Sequence, residues 1–505
     1  MSPALRNWLG FSAMTAGMFF AILDIQIVAS SLIDIQLSLG IPSARLSYLQ
    51  TTYLIAEVIA IALSGWLTRV MSTRWLFIAA MLGFVAASAA CAASPSYEAL
   101  YVFRFIQGLF GGAIIPLVFS AAFLMFPPER QTLATVIGGG FSMLAPSVGP
   151  YIGGWITEHY SWHWLFLINI VPGVIAAAIA AKCVTVDAPY WRHFRKIDAV
   201  AVVLLIIFLA SLELALKQAP KLGSGNLPAL ALAALCLGSG VALIRRCVRR
   251  AEPLLDLSVF RDRTFVIGAW FSFVLGMALF GSIYVLPLFL GLVRGLSPLE
   301  IGSVMIVTGI AQLLTAPVAA FAEPRLPPRA MTFAGYALLA GGLLWNAAST
   351  YQWAFGELFG PQVLRGVGFM ICLLPVTRLT LGQLPPAQVP NGSALFNLMR
   401  NIGGAVGLAL IDTVLEHRGP QHLTRIAEKL QAGDRDTAAF VGLPLDRFTG
   451  MPLGEIEESA RALAEPLVRR AATVASLNDG WLLLGGIILV SLLVVPLMKR
   501  PSAAR

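Results

Sequence analysis

Apolar residues run in fourteen long stretches along this chain, near 10–33, 47–67, 75–93, 99–124, 131–157, 163–183, 198–217, 227–247, 264–290, 300–322, 330–348, 356–376, 391–413 and 479–498. A helix needs about 20 mostly apolar residues to cross the hydrocarbon core of a bilayer. The turns between the stretches are short and polar or basic, apart from one long polar segment at 414–477. The pattern predicts an all-α integral membrane protein with 14 transmembrane helices. Within the long segment, 455–464 reads as a polar-faced helix that Pro466 bends or ends. The rest of that segment reads either as a solvated loop or as a docking surface for a periplasmic partner.

One apolar stretch is punctuated in a way that a helix in water would not survive. Pro146, Gly149, Pro150, Gly153 and Gly154 all fall within 144–154. In a membrane, neighbouring helices can satisfy the freed backbone groups, and small residues let two helices approach closely. These five residues therefore read as a bendable, tightly packed face on a membrane helix.

Composition agrees with the pattern. The chain of 505 residues is 58% apolar and 12% charged, with a mean hydropathy of +0.80; soluble domains carry about 25% charged residues. The net charge of +9 would suggest nucleic acid in a soluble protein. Here the basic residues sit in short loops, where they set membrane orientation, so no nucleic-acid partner is expected. Twenty Lys and Arg occupy the ends and loops on the N-terminal side, against four in the short loops opposite, Arg45, Lys217, Lys221 and Arg294. An even number of spans and this asymmetry place both termini in the cytoplasm. Cys91, Cys183, Cys236, Cys247 and Cys372 show no paired spacing, which argues against disulfides or a zinc site. Arg6 precedes the first run and Asp24 interrupts it, so the start does not read as a cleavable signal.

The runs suggest two six-helix halves, 1–183 and 260–505, the second including the outer segment 414–477. Between them, 184–259 carries an inserted pair of helices with basic flanks. Glu213 and Lys217, four apart in that pair, read as a mutually paired couple. In secondary transporters built from such repeats, the substrate site lies near the midplane where the repeats meet.

Ionisable residues inside the apolar runs are the functional candidates. Each costs about 2.5–3.5 kcal/mol at a helix centre on insertion scales, so it faces a bundle interior or a water cavity. Asp24, Glu57 and Arg104 stand out in the first half. Burial disfavours an ionised carboxylate and a nearby arginine favours it. Asp24, balanced between the two, can load and release a proton; the plainer alternative is a static ion pair. Glu57 reads either as a proton- or cation-binding group or as a hydrogen-bonded packing group. Arg104 must hold a carboxylate or carbonyls, and Gln107 and Gly108 follow it, with Gly111 and Gly112 completing a small face. Gln26 and Tyr53 are candidate substrate contacts beside them. In the second half, Glu357, Arg365, Arg400 and Asp412 fall in or at apolar runs, and Glu357 and Asp412 lie near outer ends. Arg400 reads as a structural or gating residue, with Asn397 beside it as a further candidate contact. Met277, Phe280 and Tyr284 could line a greasy cavity or simply pack, since methionine and aromatics adapt to varied ligands.

Together these residues resemble the fourteen-helix drug:proton antiporters of the major facilitator superfamily, the EmrB/QacA type. The run from Leu23 and Asp24 to Ile33 is similar to the first-helix acidic motif, and Gly65-Trp66-Leu67-Thr68-Arg69 resembles the loop motif between helices two and three. The residues at 104–112 resemble the fourth-helix arginine motif, and those at 149–154 the antiporter motif. The stretch 162–173, with Trp164, Phe166, Asn169 and Pro172, resembles the start of the sixth helix. Two departures matter. Arg69 stands where the superfamily usually has an aspartate, and the first-helix motif continues Ile-Gln-Ile-Val-Ala-Ser where threonine and asparagine are commoner. The resemblance implies the major facilitator fold and proton-driven export of amphipathic drugs across the inner membrane by alternating access. It also implies a periplasmic adaptor and an outer-membrane channel as partners, and no cofactor. Rival readings are an exporter of one endogenous lipid, siderophore or organic acid, a proton-coupled nutrient symporter, and a membrane enzyme. Against the last, no HExxH, Gly-x-Ser-x-Gly or Walker-type loop occurs, and the five histidines are scattered at loops.

Overall fold

A computed structural model describes residues 2–40, 43–222, 227–443 and 458–498, and almost all of them are helical. In lipid every backbone polar group needs an internal partner, which is why apolar runs of this length become helices. In chain order the helices are α1 (Pro3–Ser30), α2 (Leu32–Leu39), α3 (Ser43–Ala92), α4 (Tyr97–Leu124), α5 (Pro128–His159), α6 (Trp164–Leu167), α7 (Ile170–Cys183), α8 (Ala199–Leu222) and α9 (Leu227–Arg249). They continue with α10 (Arg263–Leu288), α11 (Pro298–Ala322), α12 (Pro328–Asn346), α13 (Phe355–Leu381), α14 (Val389–Gln431), α15 (Arg435–Val441) and α16 (Glu458–Ser491).

Every one of the fourteen predicted runs falls on a helix. Among the described residues, twelve helices are long and apolar enough to cross a bilayer, and one of these, over Tyr48–Ala92, holds two runs. The run at 330–348 is α12, whose 19 residues span about 28 Å at the α-helical rise. The two runs inside α3 are separated by a sharp turn at Ser72, which has φ 69° and ψ 160°. A serine avoids that region unless it is held there. Asp187 does the holding: it accepts from the Thr73 amide at 2.9 and 3.0 Å and from the Thr73 hydroxyl at 3.0 Å.

The structure corrects the reading of the outer segment. α14 continues to Gln431, eighteen residues past the predicted end at 413, and α16 begins at Glu458 instead of 479. The described part of 414–477 is therefore helical, not a solvated loop. Its apolar residues are spaced along helices and meet in a small core of their own, with Ile426 and Leu430 against Ala438, Val441, Val468, Ala471 and Ala472. α16 also runs unbroken through Pro466. Of the expected short helix at 455–464, residues 455–457 lie outside the described residues, and 458–464 form the start of α16.

Packing brings α1 against α5 and α7, and α3 against α4 and α7. Among the later helices, α10 packs on α14 and α12 on α13, with α16 against α14, α12 and α10. α8 and α9 pack chiefly on each other, and α8 touches α3 and α14. Asp198 joins the pair at its base by capping the Ala201 amide at 3.1 Å and accepting from Arg246 Nε at 2.7 and 2.9 Å. Val203, Leu230 and Leu237 remain exposed on this pair, as expected for helices that face lipid tails.

α5 and α11 lie side by side along their length. Glu323, just past α11, accepts from Thr132 on α5 at 2.9 Å and from Arg378 on α13 at 2.5 Å. At the other end, a Cβ added to Gly154 would come 2.8 Å from the backbone nitrogen of Leu299, and midway one on Gly309 would come 2.8 Å from Ser147 Cβ.

Candidate functional site

The site is assembled by glycines. Arg104, Gln107, Gly108, Gly111 and Gly112 share one face of α4 by helical spacing. A side chain on Gly108 would collide with the Tyr53 carbonyl, and one on Gly112 with the Glu57 carbonyl. Without side chains there, α4 lies directly on α3, and Arg104 reaches past it to α1.

At the centre Arg104 Nη1 donates to Asp24 Oδ2 at 2.5 Å, and both side chains are fully buried. The other carboxylate oxygen accepts from Asn169 Nδ2 at 2.7 Å and Gln107 Nε2 at 3.0 Å. Gln107 is itself fixed: its Oε1 accepts from Arg104 at 2.7 Å, and its Nε2 also donates to Ser88 Oγ at 2.8 Å. The guanidinium lies 4.2 Å from the centre of the Tyr53 ring and 5.8 Å from that of Phe166. Tyr53 is anchored by donating to the Ala21 carbonyl at 3.3 Å. The network draws on α1, α3, α4 and the junction of α6 and α7, where the helix is interrupted beside Asn169. Arg104 Nε and Nη2 and Asn169 Oδ1 are buried without a hydrogen-bond partner. A guanidinium left half-satisfied and one short bond from a carboxylate can exchange partners when the carboxylate takes up a proton.

Glu57 is 3% exposed, and its Oε2 has no hydrogen-bond partner. It lies in the electrostatic field of Arg104 and of Glu213 on α8. Lys217, expected to pair with Glu213, also reaches across to Thr51 on α3, to which it donates, and lies 5.1 Å from the Tyr48 ring centre.

The five punctuating residues of α5 are all buried, and the helix continues through both prolines. Gly149 is pressed against Gln26 of α1, where a Cβ would strike the Gln26 side chain. The Gly153 carbonyl accepts from Ser31 at 3.3 Å. The packed face is thus shared between α1 and α11, and Gln26 belongs to that seam.

In the second half the three candidates on α10 turn toward α14. Met277 and Phe280 face α14, where Cβ atoms on Gly407 and Gly404 would meet them, and Tyr284 donates to Asp412 at 2.7 Å. None of the three lines the pocket beside α10. The residues that do, Leu279, Ser282, Ile283 and Leu286, occupy the neighbouring face. Asp412, expected near water, is half-buried under Tyr284, while Glu357 is exposed and accepts from the Ala354 amide at 2.9 Å. Arg400 is 4% exposed and lies between the rings of Phe119 and Phe396, 5.4 and 5.2 Å from their centres. Asn397 donates to the Ser393 carbonyl one turn back at 2.9 Å. Arg69 donates to the Pro253 carbonyl at 3.1 Å, and an interlock nearby comes from Asn391, which exchanges two hydrogen bonds with the Asp256 backbone. Ser88 and Asn169 complete the Asp24 network although neither carries a charge that would single it out in the sequence.

The family profile described as Major Facilitator Superfamily matches residues 14–408. The chain is 38% identical over 503 residues to the colistin resistance protein EmrB of Acinetobacter baumannii, covering 99% of this chain and 97% of that protein. It is 28% identical to the multidrug export protein EmrB of Escherichia coli K12, covering 97% and 95%. Among solved structures, the proton:xylose symporter XylE superposes with a TM-score of 0.60 at 13% identity, over 99% of this chain and 97% of XylE, so the likeness extends to the whole fold.

Proposed function

The chain belongs to the Major Facilitator Superfamily, and from that premise we propose that it is an inner-membrane antiporter that exports amphipathic drugs in exchange for protons. The observation that carries the coupling is the fully buried Asp24–Arg104 pair, held from four helical elements. A static buried pair could be replaced by apolar packing at little loss of stability, so an expensive pair reached by several donors is better understood as a switch. Protonation of Asp24 from outside neutralises the carboxylate and loosens its hold on Arg104. The drug-loaded form then opens outward and releases its cargo. Loss of the proton to the cytoplasm re-forms the pair and resets the carrier. One net charge crossing 100 mV supplies about 2.3 kcal/mol, enough for about fiftyfold accumulation.

Residues 1–183 and 260–505 act as the two rocking halves, with 184–259 as a lipid-facing insert, and both termini are cytoplasmic. Glu57 is a second proton-coupling group beside Asp24. Gln26, Tyr53, Gln107, Asn397 and Arg400 stand as candidate substrate contacts. The helical outer cap, with its own small core, offers a rigid platform for a periplasmic adaptor and, through it, an outer-membrane channel. Similarity to a multidrug export protein supports the drug class of the cargo.

The test is transport in proteoliposomes carrying an imposed pH gradient and an ethidium reporter. Asp24→Asn should abolish gradient-driven uphill movement while retaining ethidium exchange down its own gradient. Full uphill transport by Asp24→Asn would remove the coupling assignment.

A further inference from the structure

Four polar side chains outside the Asp24 network meet between α11 and α13. Arg365 on α13 is 3% exposed and donates from Nη1 to Gln362 Oε1 at 2.8 Å. Thr308 on α11 donates to the same oxygen at 2.7 Å. Gln312, one turn further along α11, is 1% exposed. With Ser147 of α5, these side chains line a cavity of about 10 Å³, room for a guest about the size of one water. Three donors among them, Arg365 Nε, Gln362 Nε2 and Gln312 Nε2, are buried without a hydrogen-bond partner, against a single such acceptor, Gln312 Oε1.

The cavity also carries a positive charge that nothing on the chain balances. Arg104 meets a glutamine in the same way but also holds Asp24. No ion pair among the described residues involves Arg365. The Trp481 ring centre lies 5.4 Å from its guanidinium; a ring face attracts a cation but brings no counter-charge. A buried cation without one is costly. Room, donors and charge together select the guest. A water is neutral and must donate as well as accept, and the cavity offers it few acceptors. A carboxylate or a phosphate brings the charge but exceeds the room. A monatomic anion is negative, accepts from every direction and has no proton to place.

We propose that this cavity is a chloride site. Arg365 supplies the charge, and the Gln362 and Gln312 amides donate from the α13 and α11 sides. Ser147 closes the cavity from α5, at the point where Gly309 brings α11 close to it. Bound chloride therefore neutralises Arg365 and fastens α13 to α11 at the seam with α5. This role is separate from the proton and cargo chemistry assigned to Asp24.

The test is thermal unfolding of the full chain in lipid nanodiscs, followed by tryptophan fluorescence, as sodium chloride replaces sodium gluconate at constant ionic strength. A ligand that binds only the folded protein raises the midpoint with its concentration. The wild-type midpoint should rise by about 2 °C or more and level off, and bromide should replace chloride. Arg365→Met removes the charge and keeps a long apolar side chain, a change that buried ionic sites tolerate; its midpoint should not respond to chloride. Gln312→Leu should need about tenfold or more chloride for the same rise, the worth of one hydrogen bond to a charged group. General salt effects on unfolding would act equally on all three proteins. If Arg365→Met does not fold, Gln312→Leu decides. A wild-type midpoint indifferent to chloride, or a response that neither variant alters, overturns the site. No cargo enters the measurement, so its failure leaves the export reading standing, and a chain that moves no ethidium leaves the chloride site standing.

Discussion

Among the described residues, Asp24 and Arg104 are each other's only charged hydrogen-bonding partner, and both side chains are fully buried. Removing one leaves the other charge buried and unmatched, which costs about 3–5 kcal/mol, while replacing both with apolar residues of similar volume costs far less. Arg104→Ala should therefore lower stability by about that amount in thermal unfolding of the purified protein. Asp24→Leu combined with Arg104→Met should recover most of it and still drive no uphill transport. If the double variant stayed as unstable as the single one, the pair would be a packing device and not a switch. The charged members of this network were legible in the sequence because an ionised group in an apolar run has few places to go. Ser88 was not, because neutral polar residues are tolerated in membrane helices and carry no comparable cost; Asn169 stood out only as part of the 162–173 stretch, not as a partner of Asp24. For Met277 and Phe280 the sequence left cavity lining and plain packing both open, because a hydropathy pattern ranks faces as apolar without saying which apolar face meets a pocket and which meets α14.

At the scale of the helix, α5 ties α1 to α11 through contacts that leave no room for a side chain. The limiting neighbour differs from one glycine to the next, so substitutions along α5 should differ sharply. Gly154 opposes the Leu299 backbone, which cannot swing away, whereas a Cβ on Gly140 would meet nothing within 4 Å. Gly154→Val should cost about 1–3 kcal/mol through overpacking and abolish transport. Gly140→Ala should be neutral or stabilise by up to about 1 kcal/mol, because alanine is the better helix former. Side-by-side melting curves check both, and equal losses at the two positions would contradict the packed-seam account. The compactness of this face could be read from Gly149, Gly153 and Gly154 in sequence. The ends of α14 and α16 within 414–477 could not, because Ile426, Leu430, Val468 and Ala471 are spaced for a helix face among charged residues. A criterion built on unbroken apolar runs passes over such helices.

Across the whole molecule, the interior charges are divided unevenly. Asp24 and Glu57 are buried among the early helices, and Arg365 and Arg400 among the late ones without carboxylate partners among the described residues. Near the basic loops the two sets of helices are fastened together. Glu323 joins Thr132 to Arg378, Ser393 donates to the Pro116 carbonyl at 2.8 Å, and Asn391 holds the Asp256 backbone. Alternating access requires this end to part, so these bonds set how often it does. A charge-assisted bond between partly buried groups is worth about 1.5–3 kcal/mol. Glu323→Gln should therefore raise the population open at this end about tenfold or more. A cysteine introduced at Ser393 reports the opening, and all five native cysteines are buried, which keeps the background low. Maleimide should modify Ser393→Cys several-fold faster when Glu323→Gln is also present. An unchanged rate would mean that the Glu323 junction does not gate this end, and that opening is limited instead by the backbone contacts between α5 and α11.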